Sequence, residues 1–177
     1  MEHAASHGMK LGWSLDLTTM DPFDGKPRDF RAAAKRRRAE ELLRATRPWL
    51  LTGGPPCTDC SIIQNLNWGK MTPEERERRK VEAKLHVDFC AQLYRIQHEE
   101  GRLFLHEHPD RATSWKEPSI QAIAKIKDVL YVKAHQCKFG LKGRENGKQS
   151  RVQKQIGFFD EFVRDRKRVI KAMFRKP

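Results

Sequence analysis

Residues 51–63 read LTGGPPCTDCSII. A short apolar run ends in two glycines and two prolines, and a cysteine follows directly. Such a run, closed by turn residues, predicts a buried strand that stops at Gly53-Gly54 and projects Cys57 from the following turn. The second cysteine, Cys60, leaves two chemistries open. Cys57 is a nucleophile on a strand-to-loop turn, or Cys57 and Cys60 are half of a metal site with C-x₂-C spacing.

The flanking segments continue the alternation. Residues 12–19, GWSLDLTT, predict a short strand, and DPFDGKPRDF after it is turn material. Residues 31–46 predict a helix with Asp29 as N-cap, ended by Pro48. Residues 49–52 are the strand that leads into the quoted stretch. Thr72-Pro73-Glu74-Glu75 combines a capping box with proline at the first helical position, and starts a helix over 72–100. Val81, Leu85, Phe89, Leu93 and Ile96 recur at helical spacing and predict its buried face. Gly101 supplies the stop. Residues 102–106 predict a strand opening into the loop EHPDRATSW, residues 118–128 a helix, and 129–134 a strand followed by the loop HQCKFGLKGRENGKQ.

Alternating strands and helices predict an α/β fold with a mostly parallel sheet. In such sheets ligands gather where strands end. Cys57, then Glu107 and His108, then His135 and Cys137 fall in the post-strand loops. Three units are expected: a flexible N-terminus over 1–11, an α/β domain over 12–156, and a basic amphipathic helix over 157–177. In the last, Phe159, Phe162, Val163, Ile170, Met173 and Phe174 approximate one face, and Arg164, Arg166, Lys167, Arg168 and Lys171 cover the other.

The 177 residues suffice for one domain with a core. The apolar fraction is 38% and the mean hydropathy −0.79, yet strong apolar runs argue against a disordered chain. A net charge of +13 favours a polyanionic partner, nucleic acid before an anionic membrane surface. Four cysteines are too few for a secreted disulfide framework, so a reducing intracellular compartment is expected. No apolar run is long enough to span a membrane, and the first ten residues lack a signal-peptide core.

Gly53-Gly54-Pro55-Pro56-Cys57-Thr58-Asp59-Cys60-Ser61 resembles the nucleophile motif of the DNA cytosine-5 methyltransferases, with Thr58 where that family usually has Gln and Cys60 in its aromatic position. Glu107-His108-Pro109 is similar to the family's Glu-Asn-Val, and Cys137-Lys138-Phe139-Gly140 to the strand-loop step before its basic motif. The likeness covers roughly residues 11–158 and is closest to a divergent, compact branch. It implies a Rossmann-like methyltransferase core using S-adenosylmethionine. The Cys57 thiolate would add to C6 of a flipped cytosine, and Glu107 would assist at N3. Asp16 would hold the cofactor ribose, and Asp29-Phe30 the adenine. Lys142, Arg144, Arg151 and Lys154 stand for the basic motif, and with Arg164, Lys167, Arg168 and Lys171 make the expected nucleic-acid contacts, to DNA before RNA. His106, His108 and Lys142 lie near enough to assist.

The resemblance has gaps. The family's first strand and glycine-bearing cofactor loop have no counterpart before Gly12, and no target-recognition domain follows. The chain therefore reads as the middle of such a core, and weak or no binding of S-adenosylmethionine by this chain alone is expected. Two other readings stay open. One is a non-catalytic basic protein binding RNA or DNA within a larger assembly. The other is a zinc site drawn from Cys57, Cys60, His106, His108, His135 and Cys137. The acid at Glu107 and the paired prolines favour the nucleophile, because a zinc site needs neither; no metal is expected.

Overall fold

The computed structural model describes residues 12–61, 64–135, 142–145, 148–151 and 154–160. In chain order they form α1 (Ala33–Thr46), β1 (Leu50–Gly53), a 3₁₀ turn (Thr58–Cys60), α2 (Asn65–Trp68) and α3 (Pro73–Glu99). These are followed by β2 (Leu103–Pro109), a second 3₁₀ turn (Thr113–Lys116), α4 (Pro118–Ala124), β3 (Val129–His135), β4 (Lys142–Glu145), β5 (Lys148–Arg151) and β6 (Lys154–Asp160).

The fold is mixed α/β. Four strands make one sheet in the order β1-β2-β6-β3, and β4 and β5 make a separate two-stranded sheet. The sheet is not mostly parallel as expected. Among the described strands only β1 and β2 pair in parallel, whereas β6 runs antiparallel to both β2 and β3. Because β6 reverses direction twice over, β2 and β3 still point the same way, and the carboxyl ends of β1, β2 and β3 share one edge.

α3 is the helix that the sequence announces. The Thr72 hydroxyl accepts from the Glu75 N–H at 3.2 Å, Pro73 fills the first helical position, and Gly101 takes the left-handed conformation that stops the helix. The expected buried face holds at Phe89, Leu93 and Ile96, with Leu85 half-buried; Val81 is 57% exposed, and Ala83, Val87, Ala91, Tyr94 and Gln97 are buried as well. The first turns of α3 carry ion pairs, Arg78 with Glu82 and Arg79 with Glu75 and Asp59, and only later turns lie over the core. Tyr94 stacks on Phe104 at 4.9 Å, and both are essentially buried. Burial of side chains of this size contributes roughly 1.5–3 kcal/mol each.

Other boundaries move. Residues 12–19 form no strand; among them Asp16 and Thr18 close a tight turn. Asp29 is not the N-cap of α1, which begins after Ala32 without a side-chain cap. The expected helix over 118–128 ends at Ala124, and β2 runs on to Pro109, so Glu107 and His108 are strand residues rather than loop residues. The expected loop over 135–149 contains β4 and opens the hairpin with β5, and Gly157–Asp160, expected in the closing helix, belong to β6. Residues 1–11, Cys137 and the basic positions Arg164, Lys167, Arg168 and Lys171 lie outside the described residues. Among the described residues no helix is long and apolar enough to cross a membrane.

Candidate functional site

The parallel pairing of β1 with β2 builds the site. Gly53 stands opposite His106, so the chain leaves β1 beside Glu107 and His108. Gly53 is required by close packing. A Cβ there would sit 2.0 Å from the Tyr94 hydroxyl oxygen, well inside any tolerated contact. With no side chain in the way, Tyr94 reaches His106 Nδ1 at 3.0 Å. Gly54 lies against Glu107, whose Oε2 is 3.5 Å from where a Gly54 Cβ would be.

His108 then fixes the turn that carries the cysteine. It is fully buried, and its Nε2 lies 3.2 Å from the Pro55 carbonyl oxygen. A carbonyl only accepts, so Nε2 carries the proton, and the Ser114 hydroxyl donates to Nδ1. Both ring nitrogens are thereby committed. Further along, the Thr113 hydroxyl donates to the Cys60 carbonyl at 3.4 Å and Arg79 pairs with Asp59 at 3.1 Å. The loop between β1 and α2 is therefore held by β2, the second 3₁₀ turn and α3, at positions 55, 59 and 60. Cys57, two residues beyond the Pro55 anchor, is exposed, whereas Cys60 is buried.

Burial sets the electrostatics. It pushes the Cys60 thiol up, which keeps it protonated, and pushes Cys90 up to about 11. It pushes His106 down to about 3 and His108 down to about 4, so both are neutral near pH 7. The Glu107 carboxyl is raised by the same cause, and its Oε1 is a buried oxygen with no hydrogen-bond partner among the described residues. A carboxyl raised by burial and an exposed thiol at the same sheet edge are a candidate acid and a candidate nucleophile.

The structure brings Cys57 and Glu107 to one sheet edge, and each expected cofactor residue makes contacts of its own. Asp16 lies in the turn over residues 16–19, where one of its oxygens accepts from the Thr18 N–H and hydroxyl at 2.6 Å each. Asp29 is taken up by Arg31, through Nε at 2.9 Å and Nη2 at 2.7 Å. Phe30 packs against Phe89 at 5.1 Å, beside the core. Asp29 has both carboxylate oxygens on Arg31 and Phe30 packs on Phe89, whereas Asp16 is exposed and uses one oxygen on Thr18.

Lys142, Arg144 and Arg151 fall on the β4–β5 hairpin and Lys154 opens β6, opposite His135. Among the described residues no three His, Cys, Asp or Glu groups come together as a metal site. Sequence reasoning missed the clamping roles of Tyr94, Ser114 and Thr113; each acts across elements distant in the chain, and no local spacing marks them. Comparison with known families, with curated proteins and with solved structures finds no match.

Proposed function

We propose that this chain is a divergent cytosine-5 methyltransferase-like domain that engages a flipped cytosine in DNA through Cys57 and Glu107. The observation that carries the reading is the His108 bond to Pro55, which ties the Cys57 turn to the strand that carries Glu107. The chemistry follows from those two groups. The Cys57 thiolate adds to C6, and the ring electrons move to C5 as Glu107 gives its proton to N3. C5 becomes nucleophilic and takes an electrophile, a methyl group in the resembled family or a proton from water. Loss of a proton from C5, expulsion of the thiolate and return of the N3 proton to Glu107 restore the ring. S-adenosylmethionine would supply the methyl group when bound, with Asp16 standing for the ribose contact and Asp29-Phe30 for the adenine contact that the resemblance implies.

The test needs no methyl donor. In heavy water, addition and elimination at C6 exchange the cytosine C5 hydrogen for deuterium, which mass spectrometry of a DNA oligonucleotide reads directly. Exchange above the protein-free rate is expected. Cys57→Ser should abolish it, Glu107→Gln should reduce it by about 10²-fold or more, and Cys60→Ser should leave it. Exchange that persists in Cys57→Ser, or is absent from the parent chain, defeats the assignment.

A further inference from the structure

The cytosine chemistry uses one cysteine of the turn after β1 and leaves its neighbour idle. Cys57 opens the first 3₁₀ turn and Cys60 closes it. The Cys57 backbone is itself helical, at φ −90° and ψ −7°. Its carbonyl accepts from the Cys60 N–H at 3.1 Å and from the Ser61 N–H at 2.9 Å. In a 3₁₀ turn, residues three apart eclipse one another, and the rise is about 2 Å per residue. Cys60 therefore stands over Cys57, with the two Cα atoms roughly 6 Å apart. A disulfide spans Cα separations of about 4.4–6.8 Å. The backbone holds the pair at bridging distance before any bridge forms.

The surroundings give the two thiols different parts. Cys57 is exposed, whereas Cys60 is buried in a cluster with Ala83 and Ala112, against which Trp115 packs. Burial raises the Cys60 thiol, so a reagent arriving from solution meets Cys57 first. The turn is braced along its length, at Pro55 by His108, at Asp59 by Arg79 and at the Cys60 carbonyl by Thr113. A braced turn keeps the second thiol beside the first, which is the condition for a resolving cysteine.

We propose that Cys57 and Cys60 are a reversible redox pair, which a peroxide drives to a disulfide across the 3₁₀ turn and a thiol reductant releases. The Cys57 thiolate attacks one oxygen of hydrogen peroxide. An S–O bond forms, the O–O bond breaks, and the other oxygen leaves as hydroxide. Cys57 becomes a sulfenic acid, oxidised by two electrons as the peroxide is reduced. The Cys60 sulfur then attacks the Cys57 sulfur. The S–S bond forms, and the departing hydroxide takes the Cys60 proton and leaves as water. Two thiols and one hydrogen peroxide give one disulfide and two waters, and two electrons from a thiol reductant reverse the change. The bridge itself needs no cytosine. Its consequence rests on the reading above: with its sulfur bonded to Cys60, Cys57 cannot add to C6, so oxidation closes the site and reduction reopens it.

The experiment treats the full chain with hydrogen peroxide, quenches it, alkylates the remaining thiols after unfolding, and weighs the tryptic peptide from Ala45 to Lys70. Trypsin does not cut before Pro48, so this peptide carries both cysteines, and Cys90 and Cys137 fall in others. In the parent it should be two hydrogens lighter and unalkylated, and dithiothreitol added before alkylation should restore both alkyl groups. Cys60→Ser should stop instead at a sulfenic acid that dimedone captures, and pass on to a sulfinic acid that dithiothreitol does not reverse. Cytosine exchange by the parent should fall in proportion to the bridged fraction and return in full with dithiothreitol, but stay lost in Cys60→Ser. A parent peptide that remains doubly alkylated, or that over-oxidises as fast as in Cys60→Ser, overturns the pair. Bridged protein that exchanges cytosine at the rate of the reduced form overturns the closure of the site. The two readings score apart. A reduced parent without exchange defeats the cytosine reading while the peptide mass still decides the bridge, and exchange without a bridge leaves the cytosine reading standing alone.

Discussion

The turn after β1 and the segment before α1 carry the same kinds of residues, and the structure uses them in opposite ways. After β1, each group is held by something distant in sequence: Pro55 by His108, Asp59 by Arg79, Gly53 under Tyr94. Before α1, Asp16 bonds to Thr18 and Asp29 to Arg31, each within two residues. Lys35 is shared between Asp21 and Asp24, 3.0 and 2.6 Å away. Carboxylates bonded to near neighbours stabilise their own loop, whereas groups held from afar fix the Cys57 turn against the strand that carries Glu107.

Acid separates the two regions most strongly. His106 and His108 are neutral in the folded protein down to about pH 3 and pH 4, while in the unfolded chain each takes a proton below about pH 6.5. Stability is therefore lost as pH falls from about 6.5. Each histidine contributes at most about 1.4 kcal/mol per pH unit, which makes the joint loss between pH 7 and pH 5 on the order of 3–4 kcal/mol. Glu107, pushed up by burial, works the other way below its own raised value. The carboxyls of Asp16, Asp21, Asp24 and Asp29 are held below the usual range, so their contribution is present above about pH 3.8 and fades only below it. Urea midpoints across pH 7 to 4.5 should fall steeply, and His106→Gln should flatten the curve. A parent profile flat over that range would mean that the histidines are not buried as described.

A pair of glycine substitutions sharpens the contrast. Gly53→Ala forces a methyl into the Tyr94 hydroxyl and should cost about 3 kcal/mol. Gly25, at φ 63° with open space around it, should cost only roughly 1 kcal/mol as Ala, the strain of a left-handed alanine. Equal losses in denaturant melts would remove the distinction between a packing glycine and a turn glycine.

The smallest effects come from single hydrogen bonds. His108→Leu strands the Pro55 carbonyl and the Ser114 hydroxyl and should cost about 2 kcal/mol. It should also slow cytosine exchange by about 10²-fold, since the nucleophile's turn loses its anchor. His108→Gln, which keeps a donor, should recover part of the exchange. Asp29→Asn should leave both melting temperature and exchange within error, its pair with Arg31 being largely solvated. A drop in melting temperature with Asp29→Asn would mean that the pair with Arg31 does more than close its own turn.

Legibility in the sequence followed the range of the interactions. Thr72-Pro73 and Gly101 act within one helix turn, and α3 begins and ends where they say. The edge position of Glu107 was also legible, through the apolar run of β2. Residues 12–19 alternate convincingly, but an alternating segment without a partner strand folds back on its own Asp and Thr. β6 was hidden for the converse reason. Gly157-Phe158-Phe159 is too short a run to announce a strand, and what makes it one is the pair of strands on either side. The clamps from Tyr94, His108 and Ser114 were equally invisible, because each joins residues brought together only by the finished sheet.

The position of β6 has a consequence for assembly. It comes after every other described strand in the chain, yet it sits inside the sheet, with β2 on one side and β3 on the other. A nascent chain emerging from the ribosome makes β1, β2 and β3 in turn, but β3 has no seat until residues 154–160 appear. Until then β2 exposes an open flank to the cell, with buried-type residues such as Leu105 beside it. Closing the sheet needs contacts between residues some fifty positions apart, the kind that slow folding. The last of the described strands is thus the keystone. A premature stop just before it would release a chain with two unpaired flanks, which is a substrate for chaperones and for aggregation.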